Sequence, residues 1–109
     1  MRTLKFIVED QIIKQDPNCS FDNLVPGTNG YLQAEFSFSP EWQGCIRFAE
    51  FSTMLGAEKS VKPLKHGKTC LIPAEVLKRR TFKIRVVGKK EGFEITTDKV
   101  AVSQNGGKI

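Results

Sequence analysis

Histidine is almost absent from this chain of 109 residues, where His66 stands alone. A single imidazole excludes a histidine-built metal centre and leaves every hydroxyl and thiol one possible histidine base to share. Cysteine is nearly as scarce. Cys19, Cys45 and Cys70 form no CxxC pair, and their odd number leaves at least one thiol free unless subunits crosslink. Cys45 and Cys70 each open an apolar run, CIRF and CLIP, so buried free thiols are the expectation. No hydrophobic run approaches the about 20 residues that cross a bilayer. The start, MRTLKFIVEDQII, is interrupted by Lys5, Glu9 and Asp10 and lacks the apolar core of a signal peptide. It reads as a first strand of a chain that folds inside a cell, with no membrane contact. The glycines are scattered at turns, and GKTC at 67–70 lacks the upstream glycine of a phosphate-binding loop. No catalytic residue, metal ligand, cofactor or small-molecule substrate is therefore expected, and the chain reads as a non-enzyme.

What is present is a strand former's composition. Eight phenylalanines and a hydrophobic fraction of 39% indicate one folded domain rather than a disordered tail. Apolar residues recur with period two. Residues 3–8 place Leu4, Phe6 and Val8 on one face, and residues 11–15 continue that strand after a bend. Residues 16–30, DPNCSFDNLVPGTNG, hold two prolines and two glycines and read as a loop of successive turns. In YLQAEFSF, residues 31–38, Leu32, Ala34, Phe36 and Phe38 alternate with Tyr31, Gln33, Glu35 and Ser37. Pro40, Trp42 and Gly44 mark a corner, where the Trp42 indole caps one end of the core or else stands out as a binding anchor. Further strands fall at 45–51, 61–64, 68–72, 93–97 and 99–102, with a single helical turn at 73–77 opened by Pro73. Seven to eight short strands with almost no helix predict an all-β, antiparallel sandwich over residues 1–103, followed by a flexible tail at 104–109.

The candidate site lies in residues 78–90, KRRTFKIRVVGKK, a window without one acidic residue. Phe82, Ile84 and Val86 alternate with Lys83 and Arg85, the pattern of a half-buried strand. Lys78, Arg79, Arg80, Lys89 and Lys90 flank it. The chain as a whole carries 17 Lys and Arg against 12 Asp and Glu, a formal charge of +5 that favours nucleic acid, acidic protein or an anionic surface. Two readings compete. In one the basic residues are a solvated face and a sheet edge, where cations discourage intermolecular strand pairing. Alternatively, Arg79, Arg80, Lys83, Arg85, Lys89 and Lys90 form a docking surface for phosphates or carboxylates. Tyr31 and Trp42 are the remaining rings with polar handles, and nothing in the sequence places either beside the basic strand. His66, between Lys65 and Lys68, reads as an exposed loop residue.

The ordered set Phe36–Ser37, Glu41–Trp42–Gly44, Phe48–Ala49–Phe51, Cys70–Ile72–Pro73–Glu75–Val76–Leu77, Gly88–Gly92 and Ile95–Thr96–Thr97 resembles a known domain. It is similar to the small immunoglobulin-like domain of structural proteins in bacteriophages of Gram-positive bacteria, at the start of upper baseplate and tail-fibre proteins. The resemblance spans about residues 1–103. It implies an immunoglobulin-like β-sandwich that attaches or bridges parts of a virion, without a reaction of its own. The expected partners are phage structural proteins or further copies of the chain, and the expected location is the virion, after synthesis in the host bacterial cytoplasm. The alternative is a phage-encoded inhibitor that meets a host defence protein or nucleic-acid complex through its basic face. Gln43 departs from the family, whose members often carry an acidic residue there. The sequence stops at Ile109 without a shaft-like extension, so a free-standing module or an excised domain is expected.

Overall fold

A computed structural model describes residues 1–54 and 58–105. Among the described residues nine strands, more than the seven to eight expected, form two facing sheets of a β-sandwich. The first sheet contains β1 (Arg2–Glu9), β2 (Ile12–Gln15), β3 (Leu32–Phe38) and β6 (Thr69–Leu71), in the order β2-β1-β3-β6. The second contains β4 (Ile46–Thr53), β5 (Lys59–Pro63), β7 (Thr81–Lys90), β8 (Phe93–Thr96) and β9 (Val100–Ser103). Its order is β5-β4-β7-β8, and β9 pairs the first half of β7 on the same side as β8.

Period two explains the core. Leu4, Phe6, Val8, Leu32, Ala34 and Phe36 point inward from the first sheet, and Ala49, Phe51, Phe82, Ile84, Val86 and Val102 meet them from the second. Phe6 and Phe36 stack with centroids 5.4 Å apart, while Phe21 from the long loop meets Phe6 edge-on. The single helical turn, α1 (Ala74–Leu77), buries Val76 and Leu77 and contacts β4 and β5.

Three further expectations change. The pairing is not wholly antiparallel, because β1 and β3 run parallel over seven residue pairs from Arg2↔Leu32 to Val8↔Phe38. A parallel return needs a connection of about a dozen residues or more. The loop after β2 supplies it and is held down along its length. Arg2 Nη2 donates to the carbonyls of Ser20 and Asp22 at 3.1 and 2.8 Å, and Leu24 is buried. Second, β2 does not continue β1 but turns back on it as a hairpin, with Asp10 at φ 53° in the reversal. Aspartate is among the few residues that tolerate this left-handed conformation. Third, residues 104 and 105 are not a loose tail. Gln104 is 4% exposed, and its Nε2 donates to the carbonyls of Leu77 and Arg79 at 3.0 and 2.7 Å. Asn105 N donates to the Leu24 carbonyl. The rest of the expected tail lies outside the described residues.

The two sheets are joined where the ladder beside β7 breaks between β8 and β9. Thr97 Oγ1 accepts from Val86 N at 3.0 Å and so replaces a backbone partner. Asp98 Oδ1 accepts from Ile13 N at 3.0 Å, and Asp98 N donates to the Gln11 carbonyl at 2.9 Å. These bonds tie β2 of one sheet to the β8–β9 junction of the other.

The same end is also closed by the corner after β3. Residues Pro40–Trp42 form a single 3-10 turn, and Trp42 is fully buried with its Nε1 donating to the Asp10 carbonyl at 2.8 Å. The indole packs on Gly88, where an added Cβ would stand 2.7 Å from Trp42 Cε3. Gly88→Ala therefore overpacks the core and should lower stability by about 1–3 kcal/mol. In a Trp42→Leu background the same glycine change should cost much less, since the ring it strikes is gone. Urea unfolding of the two single variants and the double variant measures this coupling; additive effects would show that the ring does not constrain Gly88.

Candidate functional site: the outer face of the five-stranded sheet

β7 is a central strand, not an edge. β4 pairs it along one side, and β8 with β9 pairs it on the other. Protection of an exposed edge therefore does not account for Lys83 and Arg85. Their backbones are in the ladder, and their side chains stand on the sheet's outer face because Phe82, Ile84 and Val86 are turned inward.

The pairing register lays out that outer face in rows. Phe48 of β4 lies between Pro63 and Val87, with Thr96 beyond Val87. In the next row Glu50 lies between Val61 and Arg85. In the third, Ser52 lies between Lys59 and Lys83. Lys99 joins from just before β9. Two shallow depressions result. One, about 410 Å³, is lined by Lys59, Lys83, Arg85 and Lys99 with Glu50, Ser52, Thr53 and Met54. The other, about 250 Å³, is lined by Phe48, Val61, Val87 and Thr96 with Lys89 and Glu94. Glu50 and Arg85 belong to both, and their ion pair at 2.6 Å forms the ridge between them. The face thus gathers three lysines at one end and Phe48 and Val61, with Lys89 and Glu94 beside them, at the other.

The six expected site residues separate. Lys83 and Arg85 share the cationic depression, and Lys89 lies at the apolar one. Lys90 does not join them. Its Nζ donates to the Gln43 carbonyl at 3.1 Å and sits 4.9 Å from the Phe93 ring centroid. Arg79 and Arg80 fall in the bend after α1. Arg79 is held by both carboxylate oxygens of Glu58, at 3.2 and 3.1 Å. That guanidinium, through its hydrogen bonds first, lowers the Glu58 pKa below the usual carboxylate value. Lys59 and Lys99 were not among the expected residues. Their contribution follows only from strand register, which places residues distant in sequence beside Lys83. Among the described residues neither they nor Lys83 make an ion pair.

The other polar groups fill structural places. Trp42 is buried, and Tyr31 sits near Arg2, Asn23 and Leu24 rather than on the basic face. Arg47 faces the corner, with its guanidinium 4.2 Å from the Phe38 ring centroid. Its Nη1 and Nη2 donate to the carbonyls of Gly67 and Trp42 at 3.0 and 2.8 Å. His66 is exposed in a turn with φ 55°. Among the described residues no group of three or more His, Cys, Asp or Glu is placed to hold a metal ion. No helix among them is long and apolar enough to cross a membrane.

All three cysteines are free, and each is half-buried rather than buried. Cys70 packs against the core, and loss of hydration pushes its thiol up to about 12, against a smaller opposing pull from Lys62. A folded-state pKa raised above the unfolded value gives stability that is complete below the unfolded pKa and lost as pH rises toward the folded one. The protein should therefore weaken between about pH 9 and pH 12, with Cys70→Ala flattening part of that decline. Urea midpoints of both proteins across this range test it; parallel declines would remove Cys70 as the cause.

A scan against protein-family models finds no match, and searches of curated proteins and of solved structures find no significant match.

Proposed function

We propose that the chain is a phage structural or virion-associated protein, a non-enzymatic docking or decoration module of immunoglobulin-like type that attaches to a capsid, tail or baseplate. The observation that carries the docking reading is the outer face of the five-stranded sheet. Lys59, Lys83, Arg85 and Lys99 gather at one end, while Phe48 and Val61 lie at the other. Val61 is 51% exposed and Ile46, on the same face, 67% exposed. A sheet presenting apolar side chains beside lysines that form no ion pair among the described residues has the composition of a protein-binding surface, in which charge steers and orients while apolar contact retains. The virion assignment rests on the ordered motifs that resemble phage immunoglobulin-like domains. A two-sheet β-sandwich is compatible with that resemblance, although fold by itself assigns no partner.

The test is the content of nuclease-treated, gradient-purified particles of the phage that encodes the chain. A fixed copy number following the symmetry of the assembly is expected. Reversal of two charges, Lys59→Glu with Lys83→Glu, should lower that occupancy about tenfold while leaving the fold intact. Clear expression in infected cells with no protein in particles would overturn the virion reading in favour of an inhibitor of a host defence protein or nucleic-acid complex.

A further inference from the structure

We infer that the outer face of the five-stranded sheet takes an extended acidic polypeptide segment bearing an apolar side chain, rather than a nucleic-acid backbone. The inference rests on the docking reading above and specifies its occupant. Phe48 and Ser52 mark the apolar and cationic rows and are four residues apart on β4. At about 3.3–3.4 Å per residue, those rows lie about 13 Å apart. The Glu50–Arg85 pair stands between them and divides the face.

This layout discriminates between ligands. A phosphate backbone carries charge at every step, whereas the end lined by Phe48 and Val61 offers it Lys89 alone outside the Glu50–Arg85 pair. It would also have to pass Glu50 and Glu94, which line the same depressions. Base stacking has one ring to use among the residues lining the two depressions, the half-buried Phe48, since Trp42 is buried and Tyr31 lies elsewhere. An acidic polypeptide meets both ends at once. Its carboxylates reach the ammonium groups of Lys59, Lys83 and Lys99, for which no ion pair is present among the described residues. An aliphatic side chain about four residues away in an extended segment enters the 250 Å³ depression. At the other end Lys89 has Glu94 as its cross-strand neighbour, so a carboxylate gains less there than among Lys59, Lys83 and Lys99.

Two synthetic peptides of the same composition test the spacing. One carries a leucine with two glutamates four and six residues on, and the other places the leucine next to the glutamates. A single-stranded oligonucleotide of equal charge is the third probe. Titration followed by backbone amide shifts should show the spaced peptide binding about tenfold more tightly than the other two, with shifts on β4, β5 and β7. Val61→Ser and Lys83→Glu, both at surface positions, should each weaken it. Equal binding of the two peptides, tighter binding of the oligonucleotide, or no binding of either peptide at millimolar concentration would overturn the inference. If the peptides fail while the charge reversals still strip the protein from particles, the docking face stands and this occupant falls. If the spaced peptide binds as expected while the protein is absent from particles, the acidic-segment site stands and the virion reading falls.

Discussion

The approach of the Trp42 indole to Gly88 holds the two sheets in register at one end of the sandwich. Trp42 follows β3, and its Nε1 donates to the carbonyl at the β1–β2 reversal, so the ring belongs to the first sheet. Gly88 belongs to β7, at the centre of the second. Only a residue without a Cβ leaves room for the ring there. Arg47 completes the closure from β4, lying over Phe38 and donating to the Trp42 and Gly67 carbonyls. At the other end α1 and Gln104 perform the corresponding work, with the Gln104 side chain satisfying carbonyls at the end of the helical turn and just past it. With both ends fixed, the rows on the outer face have one arrangement.

Much of this was legible because period two is a local property. The alternation in residues 31–38 and in residues 82–86 identifies buried faces without knowledge of partners, and the structure buries those faces. Pairing is not local. The sequence showed a long turn-rich loop after residue 15 but not its consequence, the parallel run of β1 and β3. A loop of that length is also what a parallel return demands. Its prolines and glycines declared a loop, while the anchors that make it ordered, Arg2 and Leu24, carry no signature in order alone.

The candidate site was read less well for the same reason. A run of basic residues in sequence became three separate places in space. Arg79 went to Glu58, Lys90 to Gln43, and Lys83 and Arg85 to the sheet face. Their actual neighbours, Lys59 and Lys99, come from other strands. Sequence proximity overstated the cluster at its ends and missed its sides.

The placement of charge also separates two physical roles that look alike in sequence. β5 is an edge strand of only five residues, KSVKP, and its lysines and terminal proline discourage another chain from adding to it. β7 needs no such protection, because partners occupy both of its sides. Arg85 is balanced by Glu50 across the ladder, which gives it a structural place. Lys83 has Ser52 and Ala101 as cross-strand neighbours and gains no opposite charge from either. Neither edge protection nor ion pairing therefore accounts for this lysine. Together with Lys59 and Lys99 it carries positive charge that forms no ion pair among the described residues, adjoining apolar side chains that water solvates poorly. The acidic segment with an apolar side chain proposed for this face would relieve both features in one event.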